Sequence, residues 1–189
     1  MTPSLWKHYR QPMADEEMAS HWFAPGYRAV QRLLPSYSDV LCVGCGDGTE
    51  LDILPHARGL TLNIFGPLRG RRDVVCGDMH LLPFATGSFD AIFCKDTFEH
   101  ALAPTIVLDE FCRVARRWFF LMVPDAEWAL SPHHTIILTQ EQMAVQAERR
   151  AWHVGHIAVK SEQHPEDRKP ITWKMDCYLW SKPDANAIH

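Results

Sequence analysis

Three glycines at alternate positions, Gly44, Gly46 and Gly48, enclose Cys45 and Asp47 directly after the apolar run DVLCV. A backbone without side chains at every second position turns sharply and admits a ligand close to the chain. A helix starting behind such a turn points its free N–H groups and positive dipole end at that ligand. Thr49 stands where the dinucleotide fingerprint G-x-G-x-x-G has its third glycine, which counts against a nicotinamide-dependent oxidoreductase. A second polar group, Lys95, Asp96, Glu99 and His100, follows the run FDAIFC. A histidine titrates near neutral pH, so His100 suits the removal of a proton from a reacting group. His133 and His134 form a further pair after the run WFFLMV. His153 and His156 lie on a strand-like segment, where a spacing of three sends them to opposite faces. They cannot converge on one ion, and no metal site is expected. Cys42 and Cys45 form a C-x-x-C, with no second pair to complete a zinc site. Their apolar setting points to a buried structural role.

The elements that must position these residues alternate in type. Strands are predicted at 39–43, 59–64, 73–76, 89–94 and 118–123, and late strands at 153–160 and 175–181. Each is a short run of apolar and β-branched residues bounded by Gly, Pro or polar residues. A short helix is predicted at 49–54, stopped by Pro55. Another covers 104–115, with Pro104 at its start and Ile106, Val107, Leu108, Phe111 and Val114 along one face. A third covers 139–150 and opens with Thr139-Gln140-Glu141. Residues 1–35 read as a helical cap in which Met18, Trp22 and Phe23 recur at helical spacing; Trp22, Phe23 and Tyr27 either cover the pocket or pack as core. Strands alternating with helices imply an α/β, Rossmann-like, mainly parallel seven-stranded sheet covered on both faces. The last two strands, with no helix between them, suit an antiparallel hairpin at one edge. Ligands of such sheets bind outside the carboxyl ends of the strands.

Composition narrows the partners. The 189 residues carry a formal net charge of −4, with basic residues scattered rather than striped, which disfavours a nucleic-acid substrate. No apolar run approaches the about 18 residues of a membrane span, and the N-terminus lacks the apolar core of a secretory signal. A cytoplasmic single domain, with a core at 36–189, is the expectation.

Three blocks, DVLCVGCGDGTELDIL, CGDMHLLPFATGSFDAIFCKDTFEH and LDEFCRVARRWFFLMVP, resemble the class I S-adenosylmethionine (SAM)-dependent methyltransferases in order and spacing. The likeness covers about residues 38–125 and is weaker at 133–181. It implies that Gly44, Cys45, Gly46 and Gly48 wrap the methionine and ribose of SAM. Asp78 would accept a hydrogen bond from the adenine amine and Met79 would lie near the ring. Cys94 and Lys95 would line the methionine end. Leu82, Pro83 and Phe84 would be a structural turn, and Asp90 would support the sheet edge. His100 would be the catalytic side chain near the methyl group, and the loop bearing His133 and His134 would border the acceptor.

Two departures from the family pattern weaken the cofactor site. Cys42 replaces an acid two residues before the first glycine. Thr61 replaces the carboxylate that grips the ribose hydroxyls, and Asn63, on the same face of its strand, would serve instead. A charged acceptor makes stronger hydrogen bonds than a neutral one, so SAM affinity about tenfold below the family norm is expected. Residues 65–72 are too short for a full helix between strands two and three. The sheet face left thinly covered there would serve self-association or a protein partner. The leading reading is transfer of a methyl group to an oxygen or nitrogen of a small-molecule, sugar or lipid-linked acceptor. The alternative is a non-catalytic methyltransferase-fold protein that binds or regulates a partner.

Overall fold

The computed structural model describes residues 39–46, 48, 51, 54, 57–62, 73–125, 134–163 and 171–183. The expected cap at 1–35, Asn63, the segment 65–72, His133 and most of the expected helix at 49–54 lie outside the described residues. Seven strands form one sheet: β1 Val40–Val43, β2 Ala57–Leu62, β3 Val74–Gly77, β4 Phe89–Lys95, β5 Ala115–Pro124, β6 His153–Gln163 and β7 Ile171–Ser181. Two helices are described, α1 Pro104–Val114 and α2 Gln140–Arg149, with a 3-10 turn at Phe98–His100.

The strand order is β3-β2-β1-β4-β5-β7-β6. β1 to β5 pair in parallel, whereas β7 runs antiparallel to both β5 and β6. The last two strands are thus a hairpin, with β6 as the sheet edge and β7 inserted beside β5. The chain order reverses between β1 and β4, which makes the carboxyl ends of these two strands the switch point.

Alternation along the strands separates two apolar layers, as the pleat requires. Leu41, Val43, Ile92, Cys94, Phe119, Leu121 and Val123 face one core, which also takes in Val107, Leu108, Phe111 and Val114 of α1 and Met143 of α2. Phe119 stacks on Trp180 of β7, centroids 4.7 Å apart. Val40, Cys42, Ala91, Phe93, Trp118, Phe120 and Met122 face the other core. Cys42 and Cys45 are buried and are not joined in a disulfide, as their apolar setting implied.

Several element ends differ from the sequence reading. β2 begins two residues earlier because Ala57 and Arg58 pair with Val40 and Leu41. β5 begins at Ala115, paired with Phe89, although Arg116 and Arg117 mask its apolar pattern. β7 begins at Ile171 because its ladder with β6 continues to Gln163. α2 starts on a capping box: the Thr139 hydroxyl accepts from the Gln142 N–H, and the Gln142 side chain accepts from the Thr139 N–H. Gln142, rather than Glu141, is the reciprocal partner.

The turn Leu82-Pro83-Phe84 is held by α1. Arg113 donates through Nη1 to the Phe84 carbonyl at 2.8 Å and through Nη2 to the Leu82 carbonyl at 3.1 Å. Glu110 accepts from the Leu82 N–H and pairs with Arg113 through both carboxylate oxygens. The Arg113 hydrogen bond holds the Glu110 carboxyl below its ordinary value. Asp90 clamps the amino ends of β1 and β4: it accepts from the Asp39 N–H and from Arg116 Nε. Arg113→Ala should cost about 1–3 kcal/mol of stability, seen as a lower urea midpoint. Arg113→Lys should restore only part, because an ammonium cannot fork across two carbonyls. An unchanged midpoint in Arg113→Ala would mean that the turn holds its shape without α1.

Candidate active site

β1 ends at Val43, and the chain turns at once. Gly44 and Cys45 donate their N–H groups to the Leu60 carbonyl near the end of β2, at 2.8 and 3.3 Å. Gly44, Gly46 and Gly48 all adopt positive φ, at 77°, 51° and 97°. A Cβ on Gly44 would collide with the Thr97 side chain, so the absence of a side chain lets the turn after β4 close onto the end of β1. Among the described residues a Cβ on Gly46 would meet nothing within 4 Å, which leaves this part of the loop open to a ligand. The Cys45 side chain is fully buried and packs beneath Gly59, so this residue can present only its backbone.

Asp78 follows β3. Its Oδ1 accepts from the His80 backbone N–H at 2.9 Å and lies 2.7 Å from His80 Nδ1. These contacts, the backbone hydrogen bond foremost, hold the Asp78 carboxyl below its ordinary value. His80 Nε2 accepts from the Ala103 N–H at 3.2 Å, just ahead of α1. The imidazole is therefore held with its proton on Nδ1, where it donates to Asp78. Oδ2 of the half-exposed Asp78 carboxylate stays available to a further donor such as an exocyclic amine. Sequence reasoning missed His80; its place two residues after Asp78, able to form an Asx-type contact, was the signal. The Met79 side chain is buried in the core beneath the sheet rather than on an open face.

The end of β4 carries the densest chemistry. Cys94 is fully buried in the core, and burial pushes its thiol far above the ordinary value, so it is no nucleophile. Lys95 extends its ammonium to 4.0 Å from the Asp96 carboxylate. Asp96 takes positive φ, 45°, with its N–H on the Met122 carbonyl. The Thr97 hydroxyl donates to the Lys95 carbonyl and tightens the bend. The 3-10 turn then presents Glu99 and His100. Glu99 is 1% exposed, and its Oε2 has no hydrogen-bond partner among the described residues. Burial, reinforced by the nearby Asp96 charge, pushes its carboxyl up to about 8.

His100 Nε2 lies 3.9 Å from Glu99 Oε1. The His134 ring meets the His100 ring edge to face, centroids 5.3 Å apart. The Thr135 N–H donates to the Glu99 carbonyl at 2.8 Å, which ties this segment to the 3-10 turn. Glu99, His100 and His134 thus converge beside the glycine loop. Lys95 stands on the same bend, whereas Asp78 lies on the neighbouring turn after β3. Thr61 lies on β2 opposite Cys76 of β3. His153 and His156 stand apart on β6; His156 Nε2 contacts Asp176 at 2.7 Å. A shallow cleft of about 440 Å³ lined by Trp152, His153 and Pro183 adjoins the start of β6 at the sheet edge, away from the switch point between β1 and β4.

The strand order, the inserted antiparallel β7 and the glycine turn at the switch point define a Rossmann-like class I methyltransferase fold. A family model described as "Methyltransferase domain" matches residues 41–120. A SAM-dependent methyltransferase from Thermotoga maritima superposes with a TM-score of 0.66 at 14% identity, over 93% of this chain and 99% of that one. A SAM-dependent methyltransferase from Aquifex aeolicus gives 0.62 at 15% identity, over 95% and 98%. A chain from the complex of the Haloferax volcanii Trm112 methyltransferase activator with a methyltransferase gives 0.65 at 18% identity, over 91% and 95%. No curated protein sequence matches the chain. The fold is that of the class I SAM-dependent methyltransferases, residues 41–120 match the methyltransferase-domain model, and SAM is the cofactor that this likeness implies. The residues present fit it: the loop is open at Gly46, and Asp78 keeps a free carboxylate oxygen.

Gly44→Ala should destabilise the fold by more than the ~1–2 kcal/mol that a positive φ costs a residue with a Cβ, measured as a lower melting temperature. Adding Thr97→Ala should recover part of the loss; no recovery would show that the Gly44–Thr97 approach is not the constraint. Glu99 ionises near the ordinary glutamate value in the unfolded chain and near 8 in the folded one. Stability is therefore lost as pH rises between these values, on the order of a few kcal/mol by about pH 9. In chelator-containing buffer, Glu99→Gln should melt above the wild type at about pH 9, with the gap closing toward about pH 5. A gap independent of pH would refute the burial of an ionisable carboxyl.

Proposed function

We propose that this chain transfers the methyl group of SAM to an oxygen or nitrogen of a small-molecule, sugar or lipid-linked acceptor. The observation that carries this reading is the convergence, beside the open glycine loop, of Glu99, His100 and His134 on one side and Asp78 on the other. When bound, SAM supplies an electrophilic methyl group, and its transfer leaves the electrons of the broken bond on sulfur. Gly44, Gly46 and Gly48 would cradle the methionine and ribose with their backbone, and Lys95 would stand at the methionine end. Cys45 and Cys94 would contribute main-chain atoms only, since their side chains are buried. Asp78, oriented by His80, would take the adenine amine, with Met79 packing behind that turn. Thr61 and Asn63 would face the ribose. His100, partly exposed over Glu99, would receive the acceptor's proton through Nε2.

No described helix is long and apolar enough to cross a membrane. Residues 36–189 would form the catalytic core and residues 1–35 its cap. The likeness to a chain from an activator complex supports a protein partner, and a second copy of this chain is the other candidate.

Calorimetric titration with SAM and S-adenosylhomocysteine tests this reading. Binding with a Kd in the micromolar range is expected. Asp78→Ala should weaken it by at least tenfold, and His80→Ala by a smaller factor, through loss of orientation. No binding at millimolar ligand would favour a non-catalytic role.

A further inference from the structure

Glu99, His100 and His134 each offer one ligand atom, and the three atoms lie within 4.8 Å of one another. A carboxylate oxygen and two imidazole nitrogens form a donor set that suits a first-row divalent cation such as Zn²⁺, Mn²⁺ or Co²⁺. An all-oxygen set would instead suit Mg²⁺ or Ca²⁺. Bonds of about 2.1 Å bring neighbouring donors to about 3–3.4 Å. The Glu99 Oε1 to His100 Nε2 separation is 3.9 Å, so a modest rotation of the imidazoles closes the set. His100 and His134 are not fully buried, which leaves them room to turn.

A second observation points the same way. Glu99 Oε2 is buried without a hydrogen-bond partner, in a side chain only 2% exposed. A buried carboxylate in that state is costly, and a cation at its oxygens offsets the cost. The site is also braced from both sides. The Glu99 carbonyl holds the segment that carries His134, and Thr97 sits pinned against Gly44. Three protein ligands leave coordination positions open, the arrangement of catalytic rather than structural ions.

We propose that Glu99, His100 and His134 bind a single first-row divalent cation whose open positions take an oxygen of the methyl acceptor. The inference rests on the reading of this end of the sheet as the methyl-transfer site and deepens it. It narrows the acceptor to a hydroxyl compound and makes His100 a ligand rather than the proton acceptor. The cation acidifies the hydroxyl, whose proton leaves to solvent. The acceptor oxygen then bonds to the methyl carbon as the methyl–sulfur bond breaks, with its electrons remaining on sulfur.

The test is titration of the chelator-stripped, full-length protein with Co²⁺ and Zn²⁺. Visible d–d absorption reads Co²⁺, and calorimetry reads Zn²⁺. One ion per chain should bind with a Kd in the micromolar range or tighter. Glu99→Gln and His134→Ala should each weaken binding at least tenfold, while His153→Ala, outside the cluster, should leave it unchanged. Equal weakening in all three variants, or wild-type binding matched by Glu99→Gln, would overturn the site in favour of scattered surface histidines. Absence of any bound ion at millimolar Co²⁺ would overturn it as well. Melting temperatures identify a variant that fails to fold, and the other variant then decides. SAM titration of the same samples separates the two readings. SAM binding without an ion refutes the cation site and leaves the methyltransferase; an ion without SAM binding does the reverse.

Discussion

The close approach of Gly44 to Thr97 is the constraint on which the rest of the site depends. β1 and β4 are neighbours in the sheet, and their carboxyl ends open side by side. For the turn after β4 to fold back over the end of β1, one strand end must have no side chain. Gly44 meets that need, and its positive φ then carries the chain away as an open loop. The same closure sets the position of Thr97, and through it the 3-10 turn with Glu99 and His100. The glycine loop and the candidate acceptor groups are therefore placed by one contact rather than two.

Glu99 shows what such placement costs. A carboxyl buried in the 3-10 turn after β4 loses its water, and the described residues supply no hydrogen bond to one of its oxygens. Proteins tolerate a group of this kind where it is neutral, or where a ligand compensates it. Around it, the structure spends ordinary interactions on rigidity: the Thr97 hydroxyl on the Lys95 carbonyl, and the Thr135 N–H on the Glu99 carbonyl. The buried carboxyl thus sits in a firm frame.

Two latches transmit the same rigidity to the turn after β3. Arg113 and Glu110 of α1 hold Leu82 and Phe84 by their backbone. His80 links Asp78 to the Ala103 N–H ahead of that helix. α1 packs on the sheet through Val107, Leu108, Phe111 and Val114. The helix that covers one face of the core therefore also sets the position of Asp78, and packing and the placement of this carboxylate are coupled through a few hydrogen bonds.

The fold class was legible in the sequence because apolar runs of strand length, separated by glycine turns and one helical face, are local patterns. The three alternating glycines and the burial of Cys42 and Cys45 were legible for the same reason. The strand ends were less so: Arg116 and Arg117 sit within β5 and interrupt its apolar pattern, and only pairing with β4 defines where it begins. The orienting role of His80 and the reach of Arg113 from α1 to the turn at Leu82 and Phe84 depend on contacts between elements, which no spacing encodes. The meeting of Glu99 and His100 with His134 is of the same kind. The sequence reading placed these residues on separate loops and expected no metal, because an H-x-x-H on a strand was the motif in view. Strand order and the backbone bond from Thr135 bring them together. The sequence by itself determined which segments become strands and where the glycine loop turns, since both follow from local sterics and apolar periodicity. Only the tertiary structure decided which polar side chains share a site, because that depends on distances between residues far apart in the chain.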